Sequence, residues 1–440
     1  MKHTLLVCVF LFSALIVRAQ DDPGDVPRKN QPSETNAWEQ EEAEAEPEKK
    51  PFRFKNRMVE LSLANVSVEV SNDLVTAKDI FKDTATINLD GLLNGFRLDF
   101  SAVVKPLSLN FNWQDKWGFG LDIGHVYTFG NVSLPGSLIS LERTDKETFG
   151  AGAAVFADLL GVPVFFHVND FKIKVRPAFY VPLAYTEPGV SYRRSSIVGP
   201  DGSRGERISI DYDMRIYTVI DMGMIDDGSV TITPYAILAD NLGFDMSLGL
   251  EYPLFSWLDV GTDIVNLPVP FAGAKLNYYT RLHDSIYVDT SLIDIPGMVS
   301  SGDFSKDAYH YPDSFEAEYG FDSDGKVLYR PFTMLFYANY RPFDSYILSL
   351  IPSLGFSINK LYPRPGAVEG GLSARCDLGN IFITTLGINY NDRKWKNSLD
   401  FILNLRAFEM DFGVSFQSPD FVKSFQGAGA GVNVGIKLGW

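Results

Sequence analysis

Basic side chains occupy every second position at the start of the segment 171–185. Lys172, Lys174 and Arg176 alternate there with apolar residues, and alternate residues of a β-strand point to the same side. In surroundings of low dielectric constant, such a face binds carboxylates through charge-assisted hydrogen bonds. The alternative is that the cations neutralise acids on the same face. The aspartates with a suitable alternation are Asp122, Asp211, Asp213, Asp245, Asp259 and Asp263.

Two prolines, Pro177 and Pro182, lie in the same segment. Proline has no N–H to donate to a neighbouring strand, so a strand tolerates it at a bulge, at an edge or at an opening. Both residues are therefore candidates for a lateral opening in a wall of strands. The alternative is that they lie above the lipid-facing part of the wall, where a kink has no consequence.

Composition excludes several classes of protein. The 440 residues carry a formal net charge of -16, which argues against nucleic acid as a partner. The 45% hydrophobic content argues against global disorder. The two cysteines, Cys8 and Cys376, cannot form a disulfide framework. The four histidines after residue 19 lack metal-ligand spacing, and no Gly-x-Ser-x-Gly or phosphate-loop motif is present. We therefore expect a non-enzyme without a metal or cofactor.

The first 51 residues predict two segments that are not part of a folded domain. Residues 1–19 have a basic start, an apolar run from Thr4 to Val17 and small residues before position 20, which is typical of a secretory signal peptide. Residues 20–51 are rich in Pro and Glu, and positions 21–50 hold ten acids and four bases. Such a segment buries too little apolar surface to fold. We expect a disordered acidic leader.

The last ten residues alternate strictly between apolar and small or polar side chains and end on an aromatic residue. The apolar positions are Val432, Val434, Ile436, Leu438 and Trp440. A half-buried strand of a soluble sheet also alternates, but has no reason to end on tryptophan. The pattern is typical of the terminal strand of a bacterial outer-membrane barrel, where it serves as the signal for the assembly machinery.

Alternation of this kind recurs along the chain, for example in 96–104, 117–123, 244–252 and 408–416. A barrel strand shows one face to lipid and the other to the lumen, which produces a period of two. The sequence predicts an all-β membrane protein, an antiparallel barrel of about fourteen strands spanning 95–440. We expect 52–94 to form a small hatch in the lumen, whose Leu74, Ile80 and Phe81 would line a ligand pocket. The alternative is that 52–94 begins the strands.

The layout resembles the outer-membrane long-chain fatty-acid transporter (FadL-like) family. A signal peptide, a hatch-sized segment, about fourteen strands and a terminal aromatic are its features, and stretches such as Trp117–Leu121 and Lys172–Tyr185 look like its spirochaetal members. The resemblance implies passive uptake of hydrophobic molecules, which bind in a pocket beside the hatch and leave sideways into the membrane. No local motif aligns, so no ligand-binding residue of the family is carried over.

Three functions remain open for the sequence. The first is a monomeric, passive transporter of long-chain fatty acids or similar molecules in the bacterial outer membrane, with lipid and the barrel-assembly machinery as partners. The second is a general porin for hydrophilic solutes, since the inward face carries many charges. The third is a surface adhesin or structural barrel that acts through its external loops.

Overall fold

A computed structural model describes most of the chain beyond residue 56. The described residues are 57–72, 95–113, 116–140, 146–198, 202, 204–222, 241–270, 272–289, 309–310, 317–343, 346–358, 366–391, 394–427 and 429–440. The expected signal peptide (1–19), the acidic leader (20–51) and the three hatch residues Leu74, Ile80 and Phe81 lie outside these ranges.

The described residues form one sheet of 21 strand segments and two short helices. The segments are β1 Val59–Asn72, β2 Phe96–Lys105, β3 Leu107–Trp113, β4 Trp117–Leu134, β5 Glu147–Gly161, β6 Val164–Val168, β7 Phe171–Thr186, β8 Val190–Val198, β9 Arg204–Thr218, β10 Gly243–Phe255, β11 Leu258–Pro268, β12 Ala274–Asp289, β13 Tyr309–His310, β14 Ala317–Leu328, β15 Phe332–Tyr340, β16 Leu348–Ile358, β17 Gly366–Leu378, β18 Phe382–Asn391, β19 Lys394–Asn404, β20 Phe408–Ser418 and β21 Gly429–Gly439. The helices are α1 Gly136–Ser140 and α2 Phe421–Ser424.

Twelve of the segments join end to end, because consecutive segments pair with the same neighbouring strand. β7 and β8, for example, pair in turn with β5 and with β9. Most junctions contain a proline, such as Pro106, Pro163, Pro188 and Pro331, which cannot donate to the ladder. We number the resulting wall strands along the chain. Wall strands 1 and 3 are the single segments β1 and β4. Six wall strands consist of two segments each: wall strand 2 is β2 with β3, wall strand 4 is β5 with β6, wall strand 5 is β7 with β8, wall strand 6 is β9 with β10, wall strand 7 is β11 with β12, and wall strand 8 is β14 with β15. Wall strands 9 to 14 are the single segments β16 to β21, in order.

Each wall strand pairs antiparallel with the next, and the last pairs with the first. β1 pairs with β2 on one side and with β21 on the other, and Met58 and Val59 both donate a backbone hydrogen bond to the Trp440 carbonyl. The expected all-β antiparallel barrel is confirmed, and among the described residues the pairings trace fourteen wall strands. The placement of all of 52–94 in a hatch is wrong, because Val59–Asn72 is a wall strand. Alternation from Val66 to Val70 gives it the same lipid-facing stripe as its neighbours. The barrel therefore begins before residue 95.

The two faces of the wall have opposite character. Outward side chains such as Val68, Leu386 and Val432 are apolar and 46%, 56% and 48% exposed. Inward side chains such as Asp158 and Asp245 are ionisable and buried. This inverted arrangement is the one expected when lipid surrounds the outside of a barrel and polar groups line the inside.

The two ends of the barrel have connections of different length. The turns at one end span 114–116, 169–170, 256–257, 341–347, 379–381 and 405–407, and the wall also starts and finishes there. The other end carries long connections, including 73–95, 290–316 and 419–428, together with short ones such as 199–203 and 392–393. In outer-membrane barrels the short turns face the periplasm. Within the described ranges, no helix has the length and apolar character needed to span a membrane.

Candidate functional site: the barrel interior

In wall strands 2 and 3, the alternation of inward and outward side chains is interrupted at the level of Pro106 and Gly124. Pro106 interrupts wall strand 2 there, and the facing Gly124 has a φ of +69°, a conformation that side-chain-bearing residues rarely adopt. Asp122 and His125 on either side of this glycine are both buried, whereas Ile123 is 40% exposed. The inward side of wall strand 3 therefore changes from even to odd positions. Residues 127 and 129 follow His125 into the interior.

Five ionisable side chains meet in the interior at this level, and we call them the ion network. Arg176 donates to Asp122 Oδ2 at 2.8 Å and to Asp158 Oδ2 at 2.9 Å. Arg330 donates through its Nε to Asp245 Oδ2 at 2.6 Å, and its two Nη groups donate to Asp158 and to Asp245. The side chains of Asp158 and Arg330 are 0% and 4% exposed. Asp158 thus accepts from both arginines, which makes it the centre of the network.

The ion network fastens wall strands that are not neighbours. Its members lie on wall strands 3, 4, 5 and 6 and at the junction of β14 and β15 in wall strand 8. The Arg330 guanidinium also lies 4.9 Å from the centre of the Tyr180 ring, and Tyr180 Oη donates to the Leu328 carbonyl at 3.1 Å. Buried charges persist only when they are paired and hydrogen-bonded. The network therefore holds wall strands 4 and 5 directly against wall strand 8, across the interior.

Wall strand 6 is interrupted next to this contact. β9 ends at Thr218, which pairs with Ala184, and β10 starts at Gly243, which pairs with Tyr180. Of the residues between them, 219–222 and 241–242 are described, and Val219 N donates to the Leu183 carbonyl at 3.2 Å. Among the described residues, no strand therefore pairs with β7 on this side at the level of 181–182, and we call this gap in the pairing the break. β10 restarts with glycine because a Cβ there would lie 2.4 Å from the Tyr180 ring.

Apolar side chains close the break from the inside, and we call them the seal. Its members are Ala154, Phe156, Tyr180, Tyr185, Ala274, Leu276 and Leu328, each at most 3% exposed. Wall strands 4 and 5 supply the first four, and wall strands 7 and 8 supply the others. The rings of Phe156 and Tyr180 meet edge to face at 5.9 Å. In the part of the chain that the structure describes, side-chain packing, and not a backbone ladder, closes the wall at this point.

The opposite half of the barrel contains a cavity of about 560 Å³. Wall strand 1 and wall strands 10–14 supply most of its lining, which is dominated by amides, hydroxyls and charged groups. Among these side chains are Asn65, Ser67, Glu69, Asn389, Lys396, Ser398, Asp400, Ser415 and Asn433. Gly413 and Gly431 also line it, and a Cβ there would lie 2.2 Å from Asp400 Oδ1 and 2.6 Å from Ser415 Oγ, respectively. Lys396 bridges to Glu69, so part of the charge on this surface is neutralised.

The three cations predicted to bind a carboxylate have different surroundings. Arg176 is hydrogen-bonded to two aspartates, as in the alternative in which the bases neutralise inward acids. Lys174 Nζ lies 3.9 Å from Glu251 and its side chain is 45% exposed. Lys172 Nζ lies 5.9 Å from the centre of the Phe165 ring. The structure brings Arg176 into the ion network and leaves the two lysines outside it. A ligand-binding role for the three residues stays a prediction.

The two predicted lateral-opening prolines both lie inside β7. Pro177 pairs with Met246 of wall strand 6, and its carbonyl accepts a hydrogen bond from Val162 N at 3.0 Å. Pro182 is fully buried and pairs with Phe156 of the seal, at the level where no described residue of wall strand 6 pairs with β7. Only Pro182 therefore lies at the break itself. The sequence pattern identifies β7 as a candidate for a lateral opening, but it does not predict the interruption of the neighbouring wall strand 6.

The terminal strand has the geometry that its alternation predicts. Val432, Val434, Leu438 and Trp440 are 48%, 41%, 36% and 72% exposed, and Ile436 is partly exposed on the same face. They form one apolar stripe on the outside of the barrel. Recognition of this stripe by the assembly machinery stays a prediction.

Arg330, Asp158 and Tyr180 were missed as functional candidates. Arg330 stands between two strands and before Pro331, a context typical of a turn. Asp158 is the partner of His125 across the ladder, and the shift at Gly124 gives both an inward orientation that strict alternation does not predict. The hydrogen bond from Arg330 to Asp158 joins residues 172 positions apart, and no local signal marks such a pair.

Several solved structures resemble the barrel at low identity. The Ralstonia pickettii toluene transporter TbuX is 8% identical with a TM-score of 0.43, and the match covers 88% of this chain and 90% of that one. The Pseudomonas putida toluene transporter TodX is 9% identical with a TM-score of 0.40, covering 86% and 88%. A Pseudomonas aeruginosa FadL homologue is 11% identical with a TM-score of 0.42, covering 87% and 90%. At such values, similarity does not establish a shared function. No protein-family model and no curated protein matches the sequence.

Proposed function

We propose that the protein is a passive transporter of long-chain fatty acids or similar hydrophobic molecules in the bacterial outer membrane. The break in wall strand 6 is the observation that carries this proposal. In a closed barrel, a solute can leave sideways only where strands are not joined by backbone hydrogen bonds. The seal closes this level with apolar packing, which a solute can displace without breaking a backbone ladder.

The position of the break suits the release of an apolar solute into lipid. Phe179 and Leu183, on either side of the break level in β7, are 41% and 36% exposed on the outer face. Tyr180 and Leu276 line the inner side. A hydrophobic chain that moved between these residues would exchange one apolar environment for another and would not meet water. The ion network would keep wall strands 4, 5 and 8 in place during this movement.

The binding pocket beside a hatch remains part of the proposal. With Val59–Asn72 in the wall, Leu74, Ile80 and Phe81 belong to a connection that departs from the long-connection end of the barrel. We propose that these three residues contact the hydrophobic solute before it reaches the seal, and that Lys172 and Lys174 attract its carboxylate. Lipid, the assembly machinery and a monomeric state are proposed on the same basis.

A photoreactive fatty acid tests the route. We expect a diazirine-bearing analogue, added to cells that display the folded barrel, to label Phe156, Leu276 or Leu328, which are at most 2% exposed. Mass spectrometry of the labelled peptides locates the adducts. Outward residues far from the break, such as Leu386 and Ile388, serve as the control for label that arrives through the membrane. Adducts confined to outward residues would contradict lateral release through the seal.

A channel for hydrophilic solutes is the second candidate. The polar lining of the 560 Å³ cavity favours it, because a hydrophobic solute would leave those amides and hydroxyls without partners. The cavity and the seal lie in different halves of the barrel. Substitutions in one half can therefore be tested without altering the other.

A further inference from the structure

The short helix α2 lies on the outside of the barrel near the end with the long connections. Inward side chains of β19 include Lys394 and Lys396, which bridge to acids of other wall strands inside the barrel. The intervening Trp395 and Asn397 therefore point outward. Asn397 Nδ2 donates to Ser424 Oγ of α2 at 2.7 Å, and Ser424 is fully buried. This hydrogen bond places the helix against the outer face of wall strands 12 and 13.

Further contacts hold α2 in one orientation. The Asp420 carboxylate caps the helix by accepting from Val422 N at 2.8 Å and Lys423 N at 3.0 Å. The Phe421 ring meets the outward Trp395 ring edge to face at 4.9 Å, and the Phe425 ring meets Phe421 at 5.3 Å. The helix is thus fixed to the wall by one polar and one aromatic contact.

The side of α2 that faces away from the wall is apolar. Phe421, Val422 and Phe425 are 44%, 64% and 57% exposed, and a contiguous exposed apolar patch marks an interaction site. Towards the end of the barrel with the short turns, this surface continues into the lipid-facing stripe of β20, where Phe416 and Phe412 are 42% and 40% exposed. Lys423, next to Val422, supplies one cation. Aromatic and aliphatic groups beside a lysine are the composition that binds at the boundary between lipid headgroups and acyl chains.

We propose that α2 is a lipid-docking element, which inserts Phe421, Val422 and Phe425 at the headgroup–acyl boundary of the outer leaflet while Lys423 contacts lipid phosphate. Its continuity with the lipid-facing stripe identifies the bilayer as the occupant. The inference rests on the proposed membrane location but not on the transported solute. The docked helix would fix the height at which the membrane surrounds wall strands 12 and 13.

Fluorescence quenching in phosphatidylcholine vesicles containing some phosphatidylglycerol tests this proposal. Val422→Cys is introduced with Cys376→Ala into the full chain and labelled with bimane. Val198→Cys, in the β8–β9 hairpin, is the control for water because Val198 is 72% exposed. Leu386→Cys, on the outward face of β18, is the control for the acyl region. Heat-modifiable migration on gels shows that each barrel has inserted, and failure of all three to insert would argue against the membrane location itself.

We expect lipid nitroxides placed near the glycerol to remove most of the fluorescence at position 422, with a smaller loss for nitroxides at the chain end and little loss with iodide. Position 198 should be quenched by iodide alone. Iodide quenching at 422 equal to that at 198 would overturn the proposal. Protection from both quenchers that disappears on dilution would also overturn it and would indicate a second copy as occupant. Phe425→Cys repeats the test at the other end of α2 if Val422→Cys does not fold.

Discussion

Replacing Arg330 with methionine is expected to lower the free energy of unfolding by about 3–5 kcal/mol, the usual cost of leaving a buried charge without its partner. Asp245 would lose both of its hydrogen bonds from the guanidinium, and Asp158 would keep only the bond from Arg176. Methionine preserves much of the side-chain volume, so the loss reports on charge pairing more than on a cavity. Urea titration of reversible folding into vesicles measures the change.

Two further variants make this prediction specific. Asp245→Asn in the Arg330→Met background should recover part of the loss, because it removes the uncompensated carboxylate. Arg281→Met is the matched control: Arg281 also donates to an aspartate, Asp213 at 2.7 Å, but that carboxylate is 55% exposed. Water solvates this pair, so its removal should change stability little. Equal losses for Arg330→Met and Arg281→Met would show that the ion network does not fasten the wall.

Replacing Ser415 with tryptophan is expected to remove most of any ion conductance of the barrel. Ser415 is 6% exposed and lines the cavity from wall strand 13, so an indole there would occupy the space that hydrated ions need. Phe416→Trp is the matched control, because this neighbouring residue on the strand is 42% exposed on the lipid-facing side. Single-channel recordings in planar bilayers compare the parent with both variants.

The two outcomes of the conductance experiment separate the proposed functions. Conductance that Ser415→Trp abolishes and Phe416→Trp preserves would assign a hydrophilic path to the polar cavity. A parent barrel that does not conduct, or conductance unchanged by Ser415→Trp, would remove the support that the cavity gives to a channel. Neither substitution touches the seal, so uptake of a hydrophobic solute should survive both.

Period-two alternation predicts the architecture because every wall strand lies between lipid and a polar interior. The alternation of Val432 to Trp440 and of 408–416 is imposed by this environment on each strand separately, so it can be recognised locally. The hatch assignment of Val59–Asn72 failed for a related reason. Its alternation is real but weaker, since Leu61, Leu63 and Ala64 interrupt the period where the register to β21 shifts.

The interior was less predictable because it depends on contacts between distant parts of the chain. Gly124 looks like one more small residue in an alternating strand, and only its pairing with the region of Pro106 makes it the point where the inward side changes. The seal requires Phe156 and Tyr180 to meet Leu276 and Leu328 at the break in the pairing of wall strand 6. Arg176 was recognised as inward-facing and basic, but the arginine that completes its network is 154 residues away.

Uptake of labelled oleate tests the central claim most directly. The chain with a competent signal peptide would be expressed in a bacterial host that lacks its own outer-membrane fatty-acid transporter, and surface folding would be confirmed by heat-modifiable migration. We predict uptake above that of cells carrying the empty vector, undiminished by Ser415→Trp. A folded barrel that gave no more uptake than the empty vector would contradict fatty-acid transport and favour the hydrophilic channel.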